Sequence, residues 1–345
     1  MGSRNIMIGR FLLMVLVSAL WLFSPTAEAQ SEESFFKGKT IRFIAGSTPG
    51  GGTDALVRLQ ARYFGKHIPG NPRIIAVNMP GAGGLVAANF LYNRARPDGL
   101  TVSSMNTGLV YRIATGGRGV KFKLDKFNWL GQGAMEGNML YLRTDRPFSS
   151  FEAIKKAGRK PKLGSRSRAH TANVIPRVIE QILDGVKFEV IIGYPGTAEI
   201  LLDIERGALD GRSHSIGSLL ATRGDWIKSG FVKALVVSSP KRDPRIPDVP
   251  TLEELAPKDK KHILEAVYAV QGRAYAMPPG IPAKRVKILR DAYESMHKDP
   301  AFVQEGRKMG WNIELARGEE LQRKYENLVK NRSVMEFYRK ILGDG

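Results

Sequence analysis

Residues 43–59 read FIAGSTPGGGTDALVRL, with three consecutive glycines where an apolar stretch gives way to a helical pattern. The next such junction, NMPGAGG at 78–84, repeats a Pro-Gly-x-Gly. These two loops constrain the fold more than any other feature, because the segments around them alternate. TIRFIA (40–45), RIIAV (73–77) and LTVSSM (100–105) read as strands. TDALVRLQARYFGKH (53–67) carries Leu56, Leu59, Tyr63 and Phe64 at helical spacing, and GLVAANFLYNRA (84–95) is a second helix closed by the Pro97-Asp98-Gly99 turn. Strand, helix, strand, helix, strand is the pattern of an α/β domain with a largely parallel sheet. In such a sheet both glycine loops leave at the carboxyl edge, where open α/β sheets bind ligands. Glycine lets the backbone approach closely, and each following helix turns its positive dipole end toward the loop, so the pair suits an anion. A purely geometric use of the glycines, as tight turns, is the alternative.

Two nucleotide motifs are nearly present and fail on specific residues. A phosphate-binding P-loop needs a lysine where this chain has Gly52, although Gly46, Gly51 and Thr53 keep the spacing. The dinucleotide fingerprint has Gly50 and Gly52, but Ala55 takes the third place and no acidic residue ends strand 73–77. Without the lysine the loop offers backbone N–H groups and no side-chain charge. Phosphoryl transfer is therefore not its chemistry.

The amino terminus has the layout of a secretory signal: Arg4 and Arg10, the apolar run FLLMVLVSALWLF (11–23), and TAEAQ with cleavage expected after Ala29. The run is shorter than the roughly 20 residues a membrane span requires. Cleavage removes Arg4, Arg10 and Glu28 and takes the formal charge from +20 to +19. That charge favours anionic partners, but the basic residues are scattered and no nucleic-acid motif occurs, so a nucleic-acid partner is not expected. The chain has no cysteine. An exported chain must then fold without disulfides and has no thiol to lipidate, which fits a freely diffusing periplasmic protein; the sequence does not read out the oligomeric state, and a monomer is the default expectation.

A second alternation starts near residue 138. Strands are expected at 138–144, 161–165, 187–194 and 232–239, and helices at 150–158, 170–185 and 197–207. Pro176 is expected near a helix start or kink, and Thr197 as an N-cap. PKRDPRIPDVP (240–250) must be loop. The last hundred residues turn helical, with Val286, Leu289, Tyr293 and Met296 as a core stripe and Asp299-Pro300 opening the next helix. The five histidines have no metal-ligand spacing and no G-x-S-x-G elbow occurs. Neither a metal, a cofactor nor catalysis is expected, and an exported small-molecule enzyme is the weakest alternative.

KTIRFIAGSTPGGGTDALVRLQARYF, VNMPGAGGLVAANFLYNRARPDGLTV, RIPDVPTLEEL and MPPGIPAKRVKILRDAYESMHKDPAFVQEGRKMG occur in that order. Over nearly the whole mature chain these resemble the extracytoplasmic substrate-binding receptors of tripartite tricarboxylate transporters. The resemblance implies an α/β, two-domain clamshell of the periplasmic-binding-protein kind (type II-like) with two crossing connections. Domain 1 would be residues 30–136 plus 238–345, and domain 2 residues 137–237. Such a receptor captures an organic carboxylate and delivers it to the membrane permease subunits; a sensor for a membrane kinase is the alternative use of the fold. The family's ligand-binding positions fall here on Ser47, Thr48, Gly50, Gly51, Gly52 and Thr53 in the first loop, and on Gly81, Ala82, Gly83 and Gly84 in the second. Asp54 is expected to cap its own helix rather than meet an anion. In domain 2 the matching loop, LGSRSRAHTA (163–172), departs from the family's small residues with Arg166, Arg168 and His170 around Ser167. One of these cations is expected to pair with a second acidic group on the ligand, a solvated basic loop being the other reading. GYPGTAE (193–199) contributes Tyr194 and Thr197. LDGRSH (209–214) contributes Asp210, Arg212 and Ser213.

Overall fold

The computed structural model describes Glu32 and residues 34–343 apart from Met135, so the expected signal segment lies outside the described residues. Two sheets organise the chain. The first contains β1 (Thr40–Ala45), β2 (Arg73–Asn78), β3 (Thr101–Met105), β4 (Asn128–Gln132), β10 (Ala274–Met277) and β11 (Ala316–Arg317), in the order β11-β4-β10-β3-β1-β2. The second contains β5 (Asn138–Arg143), β6 (Lys162–Ser165), β7 (Glu189–Ile192), β8 (Gly211–Ser215) and β9 (Val232–Ser238), in the order β7-β6-β8-β5-β9. The chain leaves the first sheet after Gln132, builds all five strands of the second, and returns after Ser238. Two connections therefore cross between the sheets.

The sequence pattern holds at the start of each sheet and fails where strands return. β1 pairs parallel with β2 and β3, as the alternation requires. The sheet is not largely parallel, however: β10 runs antiparallel to both β3 and β4, and β11 antiparallel to β4. The returning segment enters from the other sheet, so β10 inserts between β3 and β4 without the crossover helix a parallel strand needs. In the second sheet β6 is parallel to β7 and β8, while β5 is antiparallel to β8 and β9.

Helix α1 (Gly52–Phe64) buries Leu56, Leu59 and Phe64 against the first sheet, where Phe43 meets Phe64 and Tyr275. The stripe Val286, Leu289, Tyr293 and Met296 on α11 (Ala283–Lys298) joins the same core. Asp299 caps α12 (Pro300–Lys308) through the Ala301 N–H, with Pro300 opening it. Three expectations shift. Gly196, not Thr197, is the N-cap of α6 (Thr197–Glu205). Pro176 lies inside α5 (Thr171–Ile182), whose N-cap is His170. Asp54 caps no N–H of its own helix; it accepts from the Gly50 N–H at 3.0 Å, Asn78 Nδ2 at 2.8 Å and Arg58 Nε at 3.0 Å, locking the glycine loop to the end of β2.

Candidate functional site

Because β1 and β3 share a direction, their carboxyl ends bring Gly46, Ser104, Asn106 and Thr107 to one edge, joined by Gly84 from the loop after β2. From the other half, the ends of β6 and β8 bring Arg166, His170, Ser215 and Ser218 to face them. These residues line a cavity of about 90 Å³ between the sheets. One buried water needs about 10–15 Å³, so the space accepts a small molecule of several non-hydrogen atoms.

Three guanidinium groups dominate its lining. Arg166 follows β6 and is 6% exposed; Arg212, on β8, is 1% exposed. Arg273 comes from the returning connection, directly before β10. Its guanidinium donates to Thr53 Oγ1 at 3.3 Å, Ser215 Oγ at 2.6 Å and Ser218 Oγ, and lies over the Trp311 ring at 4.9 Å. None of the three is within ion-pairing distance of a carboxylate among the described residues. Nε and Nη2 of Arg166, Nη1 of Arg212 and Nε of Arg273 are buried with no hydrogen-bond partner among the described residues. Burial pulls Arg166 and Arg212 down to about 10, with neighbouring arginine charge adding to the effect at Arg166, so both remain cationic at neutral pH. The acidic residue of the lining, Glu136, is committed elsewhere: it accepts from Arg245 at 3.0 Å, the Gly217 N–H at 3.2 Å and the Asn312 N–H at 3.3 Å.

His170 and His214 complete the basic wall in neutral form. Burial, reinforced by the nearby arginines, holds both well below the usual imidazole range. His170 Nδ1 accepts the Ala172 N–H at 3.1 Å as the cap of α5, which leaves the ring proton on Nε2.

Of the sequence-derived positions, Thr53, Gly84, Arg166, His170, Thr197 and Arg212 line this cavity. Others meet the opposite half instead of the space between. Thr48 Oγ1 donates to Glu199 at 3.4 Å. Gly51 lies against Thr197, Gly52 against Ser218, and Gly83 against Ser167. Gly50 gives its N–H to Asp54, and Gly84 gives its own to the Gly81 carbonyl, closing the short turn around Ala82. Ser47 is buried, with its carbonyl holding Asn78 Nδ2 at 3.0 Å. The remaining four do not line the cavity. Arg168 is exposed and its carbonyl accepts from Asn173 Nδ2 at 2.8 Å. Tyr194 donates to Asp203 at 2.6 Å, on the helix that follows its loop. Ser213 alternates with Arg212 and His214 along β8 and so turns to the other face. Asp210 precedes β8 at its far end, bound by Arg159 at 2.6 and 2.8 Å and by the Lys162 N–H at 2.7 Å.

The reading from sequence missed Arg273, left His214 without a role, and named Arg212 only beside Asp210 and Ser213. No local signal marks Arg273: it sits in VQGRAYAM, a stretch with no motif.

A family model for the tripartite tricarboxylate transporter family receptor, TctC, matches residues 58–335. The chain belongs to that receptor family. It is 27% identical over 305 residues to a UPF0065 protein of Cupriavidus necator, covering 87% of this chain and 86% of that one. It is 27% identical over 299 residues to one from Bordetella pertussis, covering 85% and 87%. Among solved structures, the periplasmic binding protein BugD superposes on this TctC receptor with a TM-score of 0.75 at 23% identity, covering 88% of this chain and 97% of that one. MatC of Rhodopseudomonas palustris with bound malate gives 0.70 at 20% identity, covering 86% and 99%. R. palustris Rpa4515 with adipate gives 0.72 at 20%, covering 88% and 97%. The receptor thus has the two-domain α/β fold of periplasmic binding proteins, and its family and fold are those of substrate-binding receptors rather than enzymes.

Proposed function

We propose that this TctC receptor captures an organic carboxylate anion between its two domains and delivers it to a tripartite tricarboxylate-type membrane permease. The domains are residues 30–136 plus 238–345 and residues 137–237, and export proceeds through cleavage of residues 1–29. One observation carries the reading: Arg166, Arg212 and Arg273 turn buried, carboxylate-free guanidinium groups onto a single cavity between the two sheets. A buried cation without a partner is costly, and an anionic ligand removes that cost. The malate and adipate of its structural neighbours support a small carboxylate. Capture works by closure, since the ligand shifts the population toward the closed form by its differential affinity for it.

Isothermal titration of residues 30–345 with C4 to C6 dicarboxylates, tricarboxylates and aromatic acids tests the reading. Saturable one-to-one binding of an acid recovered unchanged supports it. Binding of nucleotides alone, or conversion of the compound, overturns it.

A further inference from the structure

The segment PKRDPRIPDVP (240–250) contributes nothing to the cavity lining, yet it supplies the residue at which the two connections meet. Within it, Asp243 accepts the Arg245 backbone N–H at 3.0 Å and grips its guanidinium through Nε at 2.7 Å and Nη2 at 2.6 Å. This short turn fixes the arginine side chain and leaves Nη1 free to reach out of the loop. Nη1 donates to Glu136 at 3.0 Å and to the Gly310 carbonyl at 2.5 Å. Glu136 lies on the first connection, between β4 and β5, and Arg245 on the second. One ion pair therefore ties the two crossings together.

Glu136 is bound to both halves as well, and its side chain is only 2% exposed. Its carboxylate accepts the Gly217 N–H at 3.2 Å, in the first turn of α7 (Ile216–Arg223) of the second half. It also accepts the Asn312 N–H at 3.3 Å, just beyond α12 in the first half. The dipole of α7 favours a carboxylate at that end. A Cβ on Gly217 would stand 2.1 Å from Glu136 Oε1, so the approach depends on glycine there. The same helix end carries Ser215 and Ser218, the hydroxyls that take Arg273 from the cavity side. The start of α7 is thus pinned twice, by Glu136 from the hinge and by Arg273 from the site.

We propose that Glu136, gripped by Arg245, is a positioning residue for closure, a step that rests on the receptor reading above. It holds the two crossing connections as one hinge and sets the angle at which the halves meet. Two connections independent of each other would allow the halves to twist as well as open; clasped together they leave one axis. An ion pair this enclosed adds little net stability, because desolvation offsets most of its attraction, and it selects one geometry instead. A second role for the same carboxylate predicts the opposite sign. Glu136 also belongs to the cavity lining, and if its charge acted only by repelling the bound anion, removing it would tighten binding. Removing a positioning residue lowers the closed population and weakens binding.

The test uses Glu136→Gln, which preserves volume and removes the charge, in residues 30–345. The chain lacks cysteine, so Val86→Cys and Ile192→Cys accept spin labels without background. These positions lie on opposite halves and are 46% and 44% exposed. Pulsed electron resonance then gives the distance distribution between the halves, with and without the C4 to C6 dicarboxylate that binds best. In ligand-free Glu136→Gln the distribution broadens and shifts to longer distances than in wild type, and saturating ligand restores a shared closed distance. Titration calorimetry shows Kd rising about tenfold, as a tenfold lower closed fraction requires. Arg245→Lys keeps the charge but cannot serve Asp243, Glu136 and Gly310 together, so it moves both readouts in the same direction and guards against misfolding of the first variant. Combining it with Glu136→Gln adds little further loss, because both remove one interaction. An unchanged distance distribution in both single variants, or tighter binding by Glu136→Gln, overturns the proposal and leaves the receptor reading standing. Binding by none of these acids overturns the receptor reading, and the ligand-free distances alone then decide the clasp.

Discussion

Gly52 lies directly against Ser218: a Cβ on Gly52 would stand only 2.8 Å from the Ser218 Cα, closer than real side-chain carbons approach backbone. Gly52 opens α1 of the first half, and Ser218 belongs to α7 (Ile216–Arg223) of the second. A Cβ on Gly108 would likewise overlap the Ala169 carbonyl across the same seam. The glycines thus let the two halves meet, a role that a reading of the loops as amide cradles does not anticipate.

Gly52→Ala is accordingly expected to impair closure without unfolding either half. Alanine is the better helix former at this position, so the midpoint of thermal unfolding without ligand stays within about 2 °C of wild type. A closure penalty of about 1.4 kcal/mol would raise Kd tenfold by lowering the binding-competent fraction. Titration calorimetry with small-angle scattering checks this. An unchanged Kd and radius of gyration would mean the seam does not limit closure.

Arg212 trades stability for binding. It is 1% exposed, faces Tyr141 across the β5–β8 pairing, and leaves Nη1 without a partner among the described residues. Replacing a buried, uncompensated charge by an apolar side chain of similar length is expected to stabilise the ligand-free protein by about 1–4 kcal/mol. Arg212→Met should therefore raise the urea midpoint with unchanged m while weakening dicarboxylate binding. Loss of both stability and affinity would show that Arg212 serves as packing.

How much was legible in sequence follows from what each residue answers to. Leu56, Leu59 and Phe64 respond to helical periodicity, and the β1–α1–β2–α2–β3 alternation with α2 at Leu85–Asn93 was readable throughout. β8 was not, because GRSHS is buried along its whole length while carrying polar side chains, so no apolar alternation marks it. The same applies to the site. Arg166 stood out as a departure inside a family loop, but Arg273 reaches Ser215 and Thr53 only because the second crossing connection folds back between the halves. Sequence separations of 58 and 220 residues put those contacts beyond any local pattern. Asp210 illustrates the reverse error: its place in LDGRSH pointed to the cleft, and strand direction put it at the other end.

Asp210→Ala should separate those two positions. The carboxylate is 3% exposed and holds Arg159, the Lys162 N–H and, at 3.6 Å, Arg146. Burial alone would raise its pKa, but Arg159 and the Lys162 N–H outweigh that and keep it below the usual carboxylate value. The stabilisation is thus present above the unfolded carboxylate pKa and is lost as pH falls through the folded one. Loss of about 2–3 kcal/mol of unfolding free energy at pH 7 is expected, allowing for the partly exposed Arg159. Dicarboxylate affinity, measured well below the unfolding midpoint, should not change. An affinity loss above about tenfold would return Asp210 to the binding site.

His297 gives the receptor a mild acid weakness away from the cavity. Its ring packs between Tyr293 and Phe302, Nδ1 lies 2.7 Å from the Tyr293 carbonyl, and Nε2 is buried with no hydrogen-bond partner among the described residues. Burial pushes its pKa down from 6.5 to about 4, against the smaller opposing pull of the Tyr293 and Gly133 backbone. The folded state therefore favours the neutral ring, and between about pH 4 and 6.5 the unfolded chain binds more protons. Stability from this group is complete above about pH 6.5 and falls as the solution is acidified through that window, by about 2 kcal/mol between pH 7 and 5. His170 and His214 shift the same way, so wild type alone cannot isolate the contribution. The measurement is the difference in urea-unfolding free energy between pH 7 and pH 5 for wild type and His297→Leu. The variant should lose about 2 kcal/mol less on acidification, and an identical loss in both would place the acid sensitivity elsewhere.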